Sequence, residues 1–302
     1  MNKLQKPFLK WVGGKTQIIN KIINYIPKEF NNYHEPFLGG GSVLFAVLSL
    51  QKINKIKING KIYAYDLNEN LINVYKNIQN NKDELFNIIS FYINEYHNIT
   101  ENYINRKPLT IEEAKTSKES YYYWIRNKFN NIIDKSSIEC SALFIFLNKT
   151  CFRGIYREGP NGFNVPYGHY KKTPEIINKK DLDSICDLIK DVEFIHSDFI
   201  NSFTNINEYD YVYLDPPYVP ENNKSFVGYL NNGFDIDKHI KLFIEILKFN
   251  DKNIKFTMSN SKTKLVIDYF INYKSEEIIS RRAINSKNPE STTTEIIITN
   301  SL

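Results

Sequence analysis

Short apolar runs and amphipathic stretches alternate through the first third of the chain. Positions 33–38 and 61–65 read as strands, while 15–25, 42–50 and 71–78 carry the apolar spacing of helices. Three glycines, 39–41, separate the first strand from the helix that follows it. This strand, loop, helix, strand rhythm predicts a parallel sheet with right-handed crossovers. The middle of the chain reads as helices at 82–97, 111–130 and 137–148. Gly, Pro and aromatics dominate 151–172, which predicts a hairpin or ordered loop. The last third returns to alternation, with strands at 192–196, 211–214 and 254–258 and a helix at 235–248. Two further segments, 275–279 and 295–299, are placed to close the sheet as an antiparallel pair. The pattern predicts an α/β fold with a helical insertion at 82–190, so that 1–81 and 191–302 form one domain.

Composition narrows the class. The 302 residues are 42% hydrophobic and 24% charged, which is ordinary for a folded chain and excludes wholesale disorder. The abundance of Asn, Ile and Lys reads as codon bias, because the Asn residues are scattered among periodic apolar segments. No apolar stretch is long enough to predict a membrane span, and the basic start lacks the apolar core of a signal peptide. Cys140, Cys151 and Cys186 are widely spaced, so neither a disulfide framework nor a zinc site is expected. A cytoplasmic location without membrane attachment fits these features.

Four motifs carry candidate chemistry. Asp215-Pro216-Pro217-Tyr218 directly follows the apolar strand 211–214. Proline has no N–H, so strand pairing ends there and leaves the Asp215 carboxylate and the Pro216 carbonyl at the carboxyl edge of the sheet. Two acceptors beside an aromatic plate suit a planar ring bearing an amino group; the bland alternative is a turn. Glu35-Pro-Phe-Leu-Gly-Gly-Gly41 puts glycine after the first strand, where a ligand approaches backbone closely. It matches neither a dinucleotide GxGxxG, since position 44 is Leu, nor a P-loop, since Leu9 stands where Gly13-Gly14-Lys15-Thr16 would need its first glycine. Asp66 ends the second strand, as an acid that accepts ribose hydroxyls does, or as a helix N-cap does. Phe8-Leu-Lys-Trp-Val-Gly-Gly-Lys15 places Trp11 and Lys15 beside glycines, either for a ligand or with Trp11 in the core.

Taken in order, KPFLKWVGGK, EPFLGGGS, YAYDLN, FNVPYG and DPPY resemble the Dam-type DNA adenine-N6 methyltransferases from Lys6 to Asn300. The resemblance implies a Rossmann-like methyltransferase sheet with a helical plus hairpin target-recognition insertion, and S-adenosylmethionine as cofactor. Trp11, Lys15, Phe37, Gly39, Gly41, Asp66, Asp198 and Asp215 match its cofactor positions, with Asp198 alternatively a helix cap or surface acid. Asp215, Pro216 and Tyr218 match the catalytic positions, where the first two would hold both N6 protons of a flipped adenine and Tyr218 would stack on it. The implied reaction gives N6-methyladenine directly and calls for no metal. The implied partner is double-stranded DNA, and a cognate restriction endonuclease acting separately is the further candidate.

Charge supports the DNA reading. Residues 148–180 hold seven Lys and Arg against two acids, an excess as large as the whole chain's net charge of +5. Phe152, Tyr156, Phe163, Tyr167 and Tyr170 interleave with these cations, to wedge or stack; the alternative is a solvated basic hairpin with its aromatics in the core. By resemblance, Lys10, Phe152, Arg153, Ile155, Arg157, Pro166 and Tyr170 are DNA contacts. Phe152 would intrude into the duplex and Arg157 would read a guanine edge. Arg153 stands where the best-known enterobacterial member has Asn, and the loop between Arg157 and Phe163 is one residue shorter. GATC is therefore only a first expectation for the site. The tail from Arg281 to Asn300 also fits the family, and a Ser/Thr-rich loop in it would touch phosphate or cap the site; the alternative is a mobile hairpin. The rival readings are an RNA or other amino methyltransferase, and a non-catalytic DNA-binding regulator that retains the fold.

Overall fold

The computed structural model of the chain describes residues 4–220, 234–281 and 292–301. Two compact units make it up. The first contains the stretch ending at Gln5, Lys15–Leu67, and the chain from Asp191 onward; the second contains Lys6–Gly14 and Asn68–Lys190. The second unit therefore begins well before residue 82 and draws in a short N-terminal segment.

Seven strands build the sheet of the first unit: β1 (Tyr33–Glu35), β2 (Ile62–Asp66), β3 (Val192–His196), β4 (Tyr211–Leu214), β5 (Lys255–Ser261), β6 (Lys274–Arg281) and β7 (Thr292–Thr299). Their order across the sheet is β6-β7-β5-β4-β1-β2-β3. Strands β1 to β5 pair in parallel. The closing pair is antiparallel, as its position at the end of the chain predicted, with β7 lying between β6 and β5. Residues 282–291, most of the expected tail loop, lie outside the described residues.

β4 is apolar throughout because it is central, with all four residues buried. On one face, Val212 and Leu214 pack with Phe256, Met258, Ile296 and Ile298 against Leu242, Phe243 and Ile246 of the helix Ile236–Leu247. Each such side chain contributes about 1.5–3 kcal/mol relative to exposure. On the other face, the Tyr213 hydroxyl and Ser259 Oγ hydrogen-bond at 2.8 Å, so the buried phenol keeps a partner. At the amino ends of the strands, His34 and Asp210 form a wholly buried pair at 2.9 Å. Asp210 also accepts from the Asn32 backbone N–H, which ties β1 to the start of β4.

Three sequence expectations change. The helix expected over 15–25 is a chain of single turns, Lys15–Gln17, Ile19–Ile22 and Ile23–Tyr25, because the backbone leaves helical geometry at Ile18, with φ −111° and ψ 7°. The helix expected over 111–130 is two, Ile111–Ala114 and Lys118–Asn131. Thr110 caps the first and Ser117, in extended backbone, caps the second. The expected strand over 33–38 stops at Glu35, because Pro36 cannot donate to the ladder.

The second unit is helical. The helix Ile138–Thr150 is buried from Cys140 to Asn148 and forms its centre. Around it lie Glu69–Asn80, Lys82–Asn98, Lys118–Asn131 and Lys179–Ile189. The aromatic segment after Thr150 forms a single helical turn, Phe152–Gly154, and a two-residue hairpin pairing Glu158–Gly159 with Gly162–Phe163. No helix among the described residues is long and apolar enough to cross a membrane.

Candidate active site

The strand order places the crossover reversal between β1 and β4, and in open α/β sheets ligands bind at such a point beyond the carboxyl ends of the strands. The glycine loop leaves β1 there, and Asp215-Pro216-Pro217-Tyr218 leaves β4. Gly39 and Gly41 have φ of 50° and 71°, the left-handed region that side chains with a Cβ disfavour, so the loop needs these glycines. Asp66, at the end of β2, accepts the Gly39 N–H at 2.8 Å through Oδ2. It does not cap the next helix; Asn68 does, accepting from the Leu71 N–H. Phe37 stacks on Phe199 and meets Phe234 edge-on, giving an aromatic cluster drawn from segments after β1, after β3 and before the helix Ile236–Leu247. Asp198 caps the short helix Phe199–Ser202 by accepting from the Asn201 N–H.

Asp215 is held by charge. Its Oδ2 lies 2.7 Å from Lys15 Nζ, while the Lys15 side chain is 4% exposed and that of Asp215 20%. Its other oxygen, Oδ1, is buried and meets no donor among the described residues. Burial raises the Asp215 carboxyl to about 6, against the pull of Lys15, and Glu295 adds repulsion. Lys15 Nζ also sits 4.9 Å from the centre of the Tyr218 ring. The Tyr218 hydroxyl donates to Glu295 Oε2 at 2.8 Å. A carboxylate with one oxygen paired to an ammonium and the other meeting no donor among the described residues, next in the chain to the Pro216 carbonyl, can accept hydrogen bonds from an incoming amine.

A second buried acid lies close by. Glu35 ends β1 at 2% exposure, and Tyr33 donates to it at 2.6 Å. Burial, together with repulsion from Asp215, raises it to about 8. Glu35 belongs to the motif that marked the glycine loop, yet nothing in the local sequence distinguished it from any strand-end acid. Glu295, Phe199 and Phe234 were equally unmarked, because only the sheet order brings them to this edge.

In the second unit, Lys10 and Tyr170 meet: Lys10 Nζ donates to the Tyr170 hydroxyl at 3.0 Å, which donates to the Cys151 carbonyl at 2.8 Å. Asn148 holds the Lys10 backbone from both sides, at 2.9 and 2.7 Å. Trp11 stacks on Phe144 and Tyr156 within this unit. Phe152 is exposed, its N–H bonded to the Pro166 carbonyl, and the Arg153 guanidinium lies 5.2 Å from its ring centre. Arg153 has φ of 57°, rare for a residue with a Cβ. Arg157 is exposed and donates to the side chain and carbonyl of Asn164. Ile155 is half-buried and Pro166 exposed. Among the interleaved aromatics, Phe163 and Tyr167 are core residues, with 3% and 9% exposure, so the packing alternative holds for them.

Comparison with known proteins supplies the family. The profile of the D12 class N6 adenine-specific DNA methyltransferases matches residues 11–286. The Type II methyltransferase M.MjaIII of Methanocaldococcus jannaschii is 36% identical over 93% of this chain and 93% of its own. The Type II methyltransferase M1.LlaDCHI of Lactococcus lactis is 30% identical over 99% of both, and the DNA adenine methylase of Haemophilus influenzae 28% identical over 94% of this chain and 89% of its own. With the matching sheet, the glycine turn and the acid-Pro-Pro-Tyr edge in one molecule, the chain belongs to the D12 class N6 adenine-specific DNA methyltransferases.

Proposed function

We propose that the chain methylates N6 of an adenine extruded from double-stranded DNA, using S-adenosylmethionine, with Asp215 and the Pro216 carbonyl gripping the exocyclic amine. The observation that carries this reading is the buried Oδ1 of Asp215 at the β1–β4 reversal, which meets no donor among the described residues. The residues present fit the cofactor. The positive-φ glycines open the backbone at Gly39 and Gly41, Asp66 offers an acid at the end of β2 for ribose hydroxyls, and Phe37 leads an aromatic wall for a purine. Asp198, Lys15 and Trp11 are the remaining proposed holders. Bound there, the cofactor supplies an electrophilic sulfonium methyl.

The adenine amine is a poor nucleophile because its lone pair is delocalised into the ring. Asp215 and the Pro216 carbonyl each accept one N6–H, which favours a pyramidal nitrogen and stabilises the positive charge that develops on it. Tyr218 stacks on the base. N6 lies inside the duplex, so the base must leave the stack. Lys10, Phe152, Arg153, Ile155, Arg157, Pro166 and Tyr170 are the proposed DNA contacts, with Phe152 as the exposed wedge and Arg157 as a guanine reader at a site such as GATC. The Type II names of two relatives favour a separately acting endonuclease as companion, in a cytoplasmic, DNA-associated setting.

The test is to map N6-methyladenine on plasmid DNA from cells expressing the chain or its Asp215→Ala variant. Modification at one defined sequence with the wild type, and none with a folded variant, is expected. Near-normal methylation by Asp215→Ala overturns the mechanism.

A further inference from the structure

We infer that Glu295, Asn260 and Ser261 are positioning residues for methyl transfer, bracing from β5 and β7 the turn that carries the Pro216 carbonyl and the Tyr218 ring. The inference rests on the catalytic reading of that turn.

The need for a brace follows from the two prolines. β4 pairs with β5 as far as Leu214 opposite Met258. Beyond that point Pro216 and Pro217 offer no N–H, so backbone pairing cannot hold the chain against β5. Side chains take over. Asn260 Oδ1 accepts the Val219 N–H at 3.1 Å, and Ser261 Oγ donates to the Val219 carbonyl at 2.5 Å. One strand further, Glu295 takes the Tyr218 hydroxyl at 2.8 Å. Glu295 is paired directly with Ser261, and Ile296 with Asn260, so the three side chains come from one corner of the sheet. Both polar groups of Val219 and the tip of Tyr218 are thereby fixed, immediately after the carbonyl proposed to grip the amine.

A purely packing role explains these residues poorly. Asn260 is wholly buried, and its orientation is set by two donors, the N–H groups of Val219 and Ser261, so that its oxygen faces both. Its Nδ2 meets no acceptor among the described residues. Leaving a buried donor unmet is destabilising. An apolar residue would fill a strand core at less cost, but it would release the Val219 N–H.

The test measures single-turnover methylation at saturating DNA and S-adenosylmethionine, with KM for each substrate. Glu295→Ala is expected to slow transfer by about tenfold or more while KM values move by about threefold or less. Glu295→Gln, which still accepts from the phenol, recovers most of the rate. Tyr218→Phe combined with Glu295→Ala is no slower than the slower single variant, because both break the same link. Ser261→Ala, a small change able to fold even where Glu295→Ala does not, also slows transfer. Wild-type transfer by folded Glu295→Ala or Ser261→Ala overturns the inference, as does a double variant whose losses multiply. Asp215→Ala distinguishes the two layers. If it is inactive while the brace variants run at full rate, only the brace fails; if it is active, the reading of the site itself fails.

Discussion

The ionisation of Asp215 gives the sharpest handle on the site. Its carboxyl is raised to about 6 by burial, and the Lys15 ammonium at 2.7 Å keeps it from rising further. Only the ionised form offers two acceptor oxygens, so transfer should weaken as pH falls through about 6. With a single group of that pKa, roughly nine-tenths is ionised at pH 7 and roughly one-tenth at pH 5. The second-order rate constant for transfer, measured at subsaturating DNA so that it reports the free enzyme, is therefore expected to fall about tenfold between these values, approaching tenfold per pH unit below 5. Asp215→Asn keeps an acceptor oxygen but cannot titrate, so its rate should be flat across the same range, on a plateau lower by about 10². Lys15→Met removes the favourable charge and should move the limb to higher pH. Rapid-quench assays of labelled methyl incorporation, with circular dichroism to confirm folding at each pH, measure all three. A wild-type rate unchanged down to pH 5, or an Asn variant that keeps the limb, refutes the reasoning.

Two further outcomes follow from buried or strained groups. Glu35 is raised to about 8, so the folded chain keeps a proton that the unfolded chain releases near pH 4.5. Its stability contribution is complete below about 4.5 and lost as pH climbs through about 8. The urea midpoint should fall across that window in the wild type, and Glu35→Gln should remove that part of the slope. Arg153 sits at φ 57°, so Arg153→Asn should raise stability by about 0.5–1 kcal/mol while weakening DNA binding. Thermal unfolding and salt-dependent titration with duplex DNA check the two effects, and loss of stability on substitution would contradict the strain argument.

Much of this protein was legible in its sequence because the relevant chemistry is local. Strands ending in an acid, a glycine turn or two prolines declare their ends to any reader. The strands at 192–196 and 211–214 and the closing antiparallel pair could therefore be read from periodicity. Capping was harder: Ser117 looked like an interior helix residue and instead starts a new helix. The basic aromatic segment was legible as a group but not residue by residue. Phe152 and Phe163 share its composition, and only packing against Asn130 and Phe129 takes Phe163 inside.

Residue types and their order along the chain determined which chemistry this protein performs, since an acid, two prolines and a tyrosine are informative wherever they are folded. The tertiary structure alone decided the neighbours. Lys15 reaches Asp215, Glu295 backs Tyr218, and Asn260 with Ser261 holds Val219, all between segments distant in the chain. The reason is that periodicity specifies which face of a strand is buried but not which strand lies beside it. Through-space electrostatics and bracing hydrogen bonds exist only once the sheet order β7-β5-β4-β1 is set.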